Sequence, residues 1–291
     1  MYPYLFTLPG GTVVPTWGVV ISLTVVGTIY LGHRWVQRDG GYPKDMVLEL
    51  GILIFVMHTV GGRIGFLRAN WGEFQGDWKK ILDVTAGGSA FLESFLLITI
   101  SFAAYLWWRK IDIWNFFDLC APLVPFGQTL GRTACIFSGC CYGRPSEVPW
   151  AFSFSNPESL VAKATQGNYL NVPLHPVQIY EICATGALLV FLFWYRPRRR
   201  FRGEVALLYL TISPVLRFIT DFFRGDAKRG WFLEEHLGQV LSKPQGVALG
   251  MLVVMAFAWY IVPRLPGAKN LDRAGGFSDD AEDDASHDQE G

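Results

Sequence analysis

Seven stretches of this chain are apolar over roughly 18–22 residues each, long enough for a helix to cross a hydrocarbon core about 30 Å thick. They fall at about 12–31, 47–67, 88–108, 118–137, 177–195, 204–223 and 245–262. The predicted fold class is therefore all-α: a polytopic membrane protein with about seven transmembrane helices. An apolar share of 51% against 17% charged residues in 291 agrees with this class and not with two soluble domains. Residues 1–11 lack the basic leader and cleavage site of a removable signal peptide, so the first stretch is expected to remain as a span.

The fourth stretch is interrupted by Pro122, Pro125, Gly127 and Gly131 and ends beside Arg132, which predicts a broken or re-entrant element. Formal net charge is zero, so no basic excess points to nucleic acid. Locally the charge is informative. The loops after the first, third, fifth and seventh stretches hold 13 lysines and arginines, including the run Arg196, Arg198, Arg199, Arg200 and Arg202, against 9 on the other side. Cytoplasmic loops are enriched in these residues, which predicts an outside amino terminus and a cytoplasmic carboxyl terminus.

The longest loop, residues 138–176, then lies outside as a cap, with Trp150, Phe152 and Phe154 expected as interfacial anchors. Residues 1–265 form the predicted membrane domain. From Pro266 the chain turns Gly-, Asp- and Ser-rich, and 266–291 is expected to be a disordered acidic cytoplasmic tail.

Three of the 25 basic residues fall inside the apolar stretches: Arg63, Arg132 and Arg217. An arginine at the centre of a bilayer costs about 2.5–3.5 kcal/mol even on the lenient insertion scale, so each needs an anion or a polar cavity. One solution is pairing with Asp221, Glu181, Glu93 or Asp83. The other is a lipid phosphate, whose oxygens match a guanidinium bidentately, and the glycine before Arg63 and before Arg132 lets a ligand approach closely. Arg217, Asp221 and Arg224 at i, i+4 and i+7 share one helical face.

Several segments together resemble the phosphatidylglycerol–prolipoprotein diacylglyceryl transferase family: GGRIG (61–65), DLCAPLVPFGQTLGRTACIFSGCCYGRP (118–145), LHPVQIYE (174–181), LRFITDFFRG (216–225) and LSKPQGVALGM (241–251). The resemblance implies a seven-span enzyme of the bacterial inner membrane with its site toward the periplasm. Its partners would be phosphatidylglycerol in the membrane lipid and the signal peptide of a lipoprotein precursor with its lipobox cysteine; no cofactor is implied. It would transfer the diacylglyceryl group to that thiol and release glycerol phosphate.

Arg132 matches the arginine of the family's G-R-x-G-N-F signature, and Arg217 the arginine of the sixth span; Asp221 stands where the family usually has glutamate. Gly131, Gly139 and Gly143 match signature glycines. His175, Gln178, Tyr180 and Glu181 keep the H-P-x-Q-x-Y-E pattern, and Arg63, Arg144 and Arg224 also align.

The chain departs from the family after GGSAF, where Leu92, Glu93 and Ser94 replace H-G-G and the candidate base is missing. Cys135 replaces the signature asparagine, Cys140 a following glutamate, Trp17 a tyrosine of the first span and Ser213 a tyrosine before Arg217. Glu93 is the expected substitute base; His58 is a relocated alternative.

Five cysteines, an odd number, argue against a disulfide framework. Closed zinc sites show paired cysteine spacings with a matching second pair, which Cys135, Cys140 and Cys141 lack, so packing is expected and no metal is assigned. Rival readings are a catalytically impaired paralogue that binds anionic phospholipid or a lipoprotein precursor, and a small anion transporter.

Overall fold

The computed structural model describes residues 4–7, 13–39, 42–43, 45–69, 71, 91–226, 230, 240–266 and 268–269, and its described part is mostly helical. A short hairpin of β1 (Tyr4–Thr7) and β2 (Val13–Pro15) leads into α1 (Thr16–Asp39). Then come α2 (Met46–Ala69), α3 (Phe91–Trp108), α4 (Ile113–Cys120), α5 (Leu123–Ser138), the short α6 (Leu160–Ala164), α7 (Val177–Tyr195), α8 (Glu204–Asp221) and α9 (Lys243–Ile261).

Among the described residues, four helical stretches are long and apolar enough to cross a membrane: Thr16–Arg38, Met46–Arg68, Val177–Arg198 and Lys243–Arg264. Their outward faces, and that of α3, leave Phe55, Ile100, Trp107, Val190, Val253 and Phe257 exposed. Whole faces of this kind suit lipid as the surrounding solvent. α3 is continuously apolar only over Leu96–Trp108, and α8 carries Glu204, Arg217 and Asp221 within its length.

The element expected at 118–137 is two helices, α4 and α5, separated at Ala121–Pro122. Proline lacks the amide donor that a continuous helix would need there.

The described residues divide into two compact units, one drawn from within 1–31 and 117–272 and the other from within 32–116. In the second, α2 packs on α3 so closely that a Cβ on Gly61 would stand 2.5 Å from the Ser94 Cα. In the first, α5 packs on α7, and α8 on both α7 and α9. Ala121, Leu188, Leu192, Val205 and Ala206 form its buried centre. The acidic tail lies outside the described residues from 270 onward.

The start of α8 is fixed by a side chain 85 positions earlier. Asp118 is fully buried, and its carboxylate accepts from the Gly203 N–H at 2.9 Å and the Ala206 N–H at 3.0 Å, with Arg199 at 3.6 Å. This meets the orphan donors and positive end of the helix with a negative charge. Glu204, also fully buried, accepts from the Tyr195 hydroxyl and Arg200 Nε, each at 2.8 Å. Part of the arginine-rich connection thus wraps two buried carboxylates. Asp118→Ala is expected to destabilise the protein by about 1–3 kcal/mol for each buried donor left unpaired, measured as thermal unfolding in detergent. Asp118→Asn, which keeps an acceptor, should lose less.

Candidate functional site

The charged residues of the first unit converge where α5, α7 and α8 meet. Arg132 reaches from the third turn of α5, and its Nε lies 2.9 Å from Glu181 Oε2 on α7. That contact is an ion pair without hydrogen-bond alignment, and Oε2 has no aligned donor among the described residues. Arg217 on α8 donates to Glu181 Oε1 at 2.5 Å and to Asp221 Oδ1 at 3.3 Å. Glu181 is 5% exposed, so two guanidiniums share one buried carboxylate. A cavity of about 60 Å³ lies beside them, lined by Gln128, Arg132, Glu181, Thr185, Arg217 and Thr220 among others.

Helical spacing accounts for the Arg217–Asp221 pair, as expected from i, i+4. It does not account for Arg224. α8 ends at Asp221, so Arg224 lies beyond the helix and not on its face. Its Nε and NH2 form a bidentate pair with Asp226 at 2.8 Å each, and NH1 stands 3.8 Å from Glu181. Three arginines and three carboxylates thus make a formally neutral cluster, and an entering phosphate must take guanidinium donors from Glu181. Asp221 also accepts from the Ser242 hydroxyl at 2.5 Å. Ser242 starts α9 in a capping box with Gln245, a pair legible as S-x-x-Q in the sequence but not among the expected site residues.

The loop 138–176 has its own small core of Tyr142, Phe154, Val161 and Leu174. Phe154 is 1% exposed, so it packs inside the loop and does not serve as the interfacial anchor expected from sequence; Trp150 is exposed and donates to the Tyr180 hydroxyl at 2.7 Å. His175 Nδ1 lies 3.2 Å from the same hydroxyl, and its ring packs edge-on against Phe223. His175 and Tyr180 therefore brace the loop against the end of α8. The fully buried Gln178 donates to the Cys140 carbonyl at 2.7 Å.

Backbone bonds join the loop to the segment after α8: the Arg144 N–H donates to the Phe223 carbonyl at 2.9 Å, and the Gly225 N–H to that of Tyr142 at 3.0 Å. The Arg144 guanidinium adds a bond to the Phe222 carbonyl. Two glycines make room for this crossing, since a Cβ on Gly143 would collide with the His175 carbonyl and one on Gly225 would stand 2.5 Å from that of Gly143. Gly139 ends α5 in the left-handed region at φ 70°, with Phe154 and Ser159 packed over it. Gly131 differs: among the described residues a Cβ there would meet Ile21 at an ordinary 3.8 Å.

Cys135, Cys140 and Cys141 bring their sulfurs within 4.8 Å of one another. Arg132 NH1 lies 3.9 Å from Cys135 Sγ and 3.5 Å from Cys141 Sγ. Hydrogen bonding with the Cys135 and Cys140 thiols, then the charges of Arg224 and Arg132, hold the Cys141 thiol well below the usual thiol range. The Cys140 thiol is pushed up by hydrogen bonding with the Cys135 and Cys141 thiols and by burial.

Arg63 and Glu93 belong to the second unit. Arg63 lies on α2 with its guanidinium 5.4 Å from the centre of the Phe66 ring. Glu93, in the first turn of α3, accepts from Arg68 Nε at 2.8 Å. The Ser94 hydroxyl donates to the His58 carbonyl at 3.1 Å, and the His58 residue is exposed. The Leu92 side chain and Asp83 lie outside the described residues.

Helices long and apolar enough to cross a membrane, with a part-buried arginine–carboxylate cluster beside a small cavity, describe a membrane protein with a charged site among its helices. A family model described as "Prolipoprotein diacylglyceryl transferase" matches residues 3–261. The phosphatidylglycerol–prolipoprotein diacylglyceryl transferase of Vibrio vulnificus (strain YJ016) is 32% identical over 265 residues, covering 88% of this chain and 91% of the relative. That of Mannheimia succiniciproducens is 31% identical over 252 residues, 81% and 90% of the two chains. That of Clostridium tetani is 28% identical over 267 residues, 90% and 98%. The chain belongs to the prolipoprotein diacylglyceryl transferase family.

Proposed function

We propose that this chain transfers the diacylglyceryl group of phosphatidylglycerol to the lipobox cysteine of a lipoprotein precursor. The observation that carries the reading is the meeting of Arg132 and Arg217, from α5 and α8, on Glu181 beside a small cavity. The relatives' shared name favours transfer over a paralogue that only binds lipid.

In the reaction the precursor's thiolate attacks the diacylglyceryl carbon bonded to the phosphate oxygen. A carbon–sulfur bond forms, the carbon–oxygen bond breaks, and glycerol phosphate leaves with both bonding electrons. The phosphodiester's single negative charge becomes the larger charge of a monoester, so guanidiniums beside the phosphate bind the transition state more tightly than the bound lipid. Arg132 and Arg217 take this role once phosphate oxygens replace Glu181 on part of each guanidinium. Asp221, held by Ser242, orients Arg217. Gln178, His175, Tyr180, Arg144, Arg224 and the loop glycines Gly139 and Gly143 shape the wall over the lipid headgroup. Gly131 and Arg63 complete the substrate-binding set.

The thiol's proton goes to Glu93 in this proposal, which requires that carboxylate to part from Arg68 first. Glu93→Gln is then expected to lower kcat at least tenfold with little change in KM for the lipid. A purely structural partner of Arg68 would instead show itself as lost thermal stability at unchanged kcat.

The same proposal places seven spans in a bacterial inner membrane, the amino terminus and the loop 138–176 on the periplasmic side and the carboxyl terminus in the cytoplasm. Residues 1–265 are one functional membrane domain and 266–291 a cytoplasmic acidic tail; no nucleic-acid partner is included. The deciding experiment incubates the purified chain with phosphatidylglycerol and a lipobox-cysteine peptide and looks by mass for the diacylglyceryl thioether. No product at high enzyme concentration would overturn the reading.

A further inference from the structure

In the sequence Cys135, Cys140 and Cys141 lack the matching second pair of a closed zinc site, and packing is the expectation there. The fold changes this in two steps. α5 stops at Ser138 with Gly139 left-handed, which turns the chain back, and Cys141 is itself left-handed at φ 55°. Consecutive side chains in extended backbone point apart; here both sulfurs of the vicinal pair reach Cys135, and all three lie within 4.8 Å of one another. The three residues are half-buried, and Arg132 stands against two of the sulfurs.

We propose that Cys135, Cys140 and Cys141 form a trithiolate site for a thiophilic divalent cation of the zinc class. Zinc–sulfur bonds of about 2.3 Å around a tetrahedral ion put sulfurs about 3.8 Å apart, so the cluster has to close by no more than about 1 Å. That lies within the reach of side-chain rotation. Three protein ligands leave a fourth position for water, and binding releases the protons the thiols carried. One divalent ion on three thiolates leaves a net single negative charge, which draws the Arg132 guanidinium toward the metal cluster. Resting on the reading of Arg132 as a phosphate ligand, occupancy then competes with the lipid headgroup and inhibits transfer.

The test uses Cd2+ as probe on the full-length chain, pre-reduced and in detergent. An ultraviolet thiolate-to-cadmium charge-transfer band is expected to saturate at one ion per chain. It should be unchanged in Cys120→Ser/Cys183→Ser, and its apparent affinity should fall at least tenfold in Cys135→Ser, Cys140→Ser and Cys141→Ser. A band that none of these three alters, or no saturable band, overturns the site.

Should the variants aggregate, alkylation mapped by mass on the unaltered chain decides. Cd2+ should protect Cys135, Cys140 and Cys141 while exposed Cys183 continues to react; equal labelling of all with and without Cd2+ refutes the proposal. Loss of thioether formation in step with the band supports the competition with lipid, and undiminished transfer at full occupancy overturns it. A chain that binds Cd2+ yet forms no thioether without it supports the metal site and sinks only the transferase reading.

Discussion

Replacing Arg132 or Arg217 with alanine is expected to lower the rate of thioether formation by about 10²–10³-fold each, the scale of removing one preorganised donor from developing negative charge. Lysine should not restore either. A point charge on a flexible stem cannot hold a phosphate bidentately while leaving a nitrogen on Glu181. The loss should fall on kcat as well as on kcat/KM, because the charge on the leaving phosphate is larger in the transition state than in the bound lipid. The double variant should fall short of the product of the two losses, since both guanidiniums act on one group. Initial rates with phosphatidylglycerol and the lipobox peptide check all of this, alongside thermal unfolding to confirm the fold. Full activity in either alanine variant would put the phosphate elsewhere.

Glu181→Gln is expected to be the most destabilising conservative change in the cluster. Its carboxylate is the only group that touches Arg132, Arg217 and Arg224 together among the described pairs. Removing one partner of a buried ion pair costs about 3–5 kcal/mol, because the opposing charge stays buried and uncompensated. Here three guanidiniums would be left with two carboxylates. The check is the Tm of the detergent-solubilised protein, and a Tm unchanged from the parent would show that Asp221 and Asp226 suffice. Added phosphatidylglycerol should recover part of the lost stability, since a bound anion stabilises the folded state by mass action.

How much of this was legible follows from the range over which each signal acts. Hydropathy is local, so the long apolar helices could be read from run length, and Pro122 marks where α4 gives way to α5. The Arg217–Asp221 pair was legible because four residues make one helical step. Arg132 was marked as needing an anion, but that its carboxylate is Glu181, 49 residues away, depends on how α5 packs on α7. Asp118 illustrates the same limit: a carboxylate in an apolar run gives no hint that it caps a helix 85 residues later. Arg224 was assigned to a helical face because the end of α8 has no glycine or proline before Gly225 to mark it. The cysteine trio was hidden by a left-handed backbone at a residue type that seldom adopts one.

The crossing of residues 142–144 with 223–225 has a consequence for biogenesis. A chain emerging from the ribosome completes residues 138–176 before Phe223 exists, so that loop has to wait for its second edge. Only when the residues after α8 have been made can Gly225 meet Tyr142 and Arg224 stand against Glu181. The charged cluster is therefore completed late in synthesis, when Arg217, Asp221, Arg224 and Asp226 join Arg132 and Glu181.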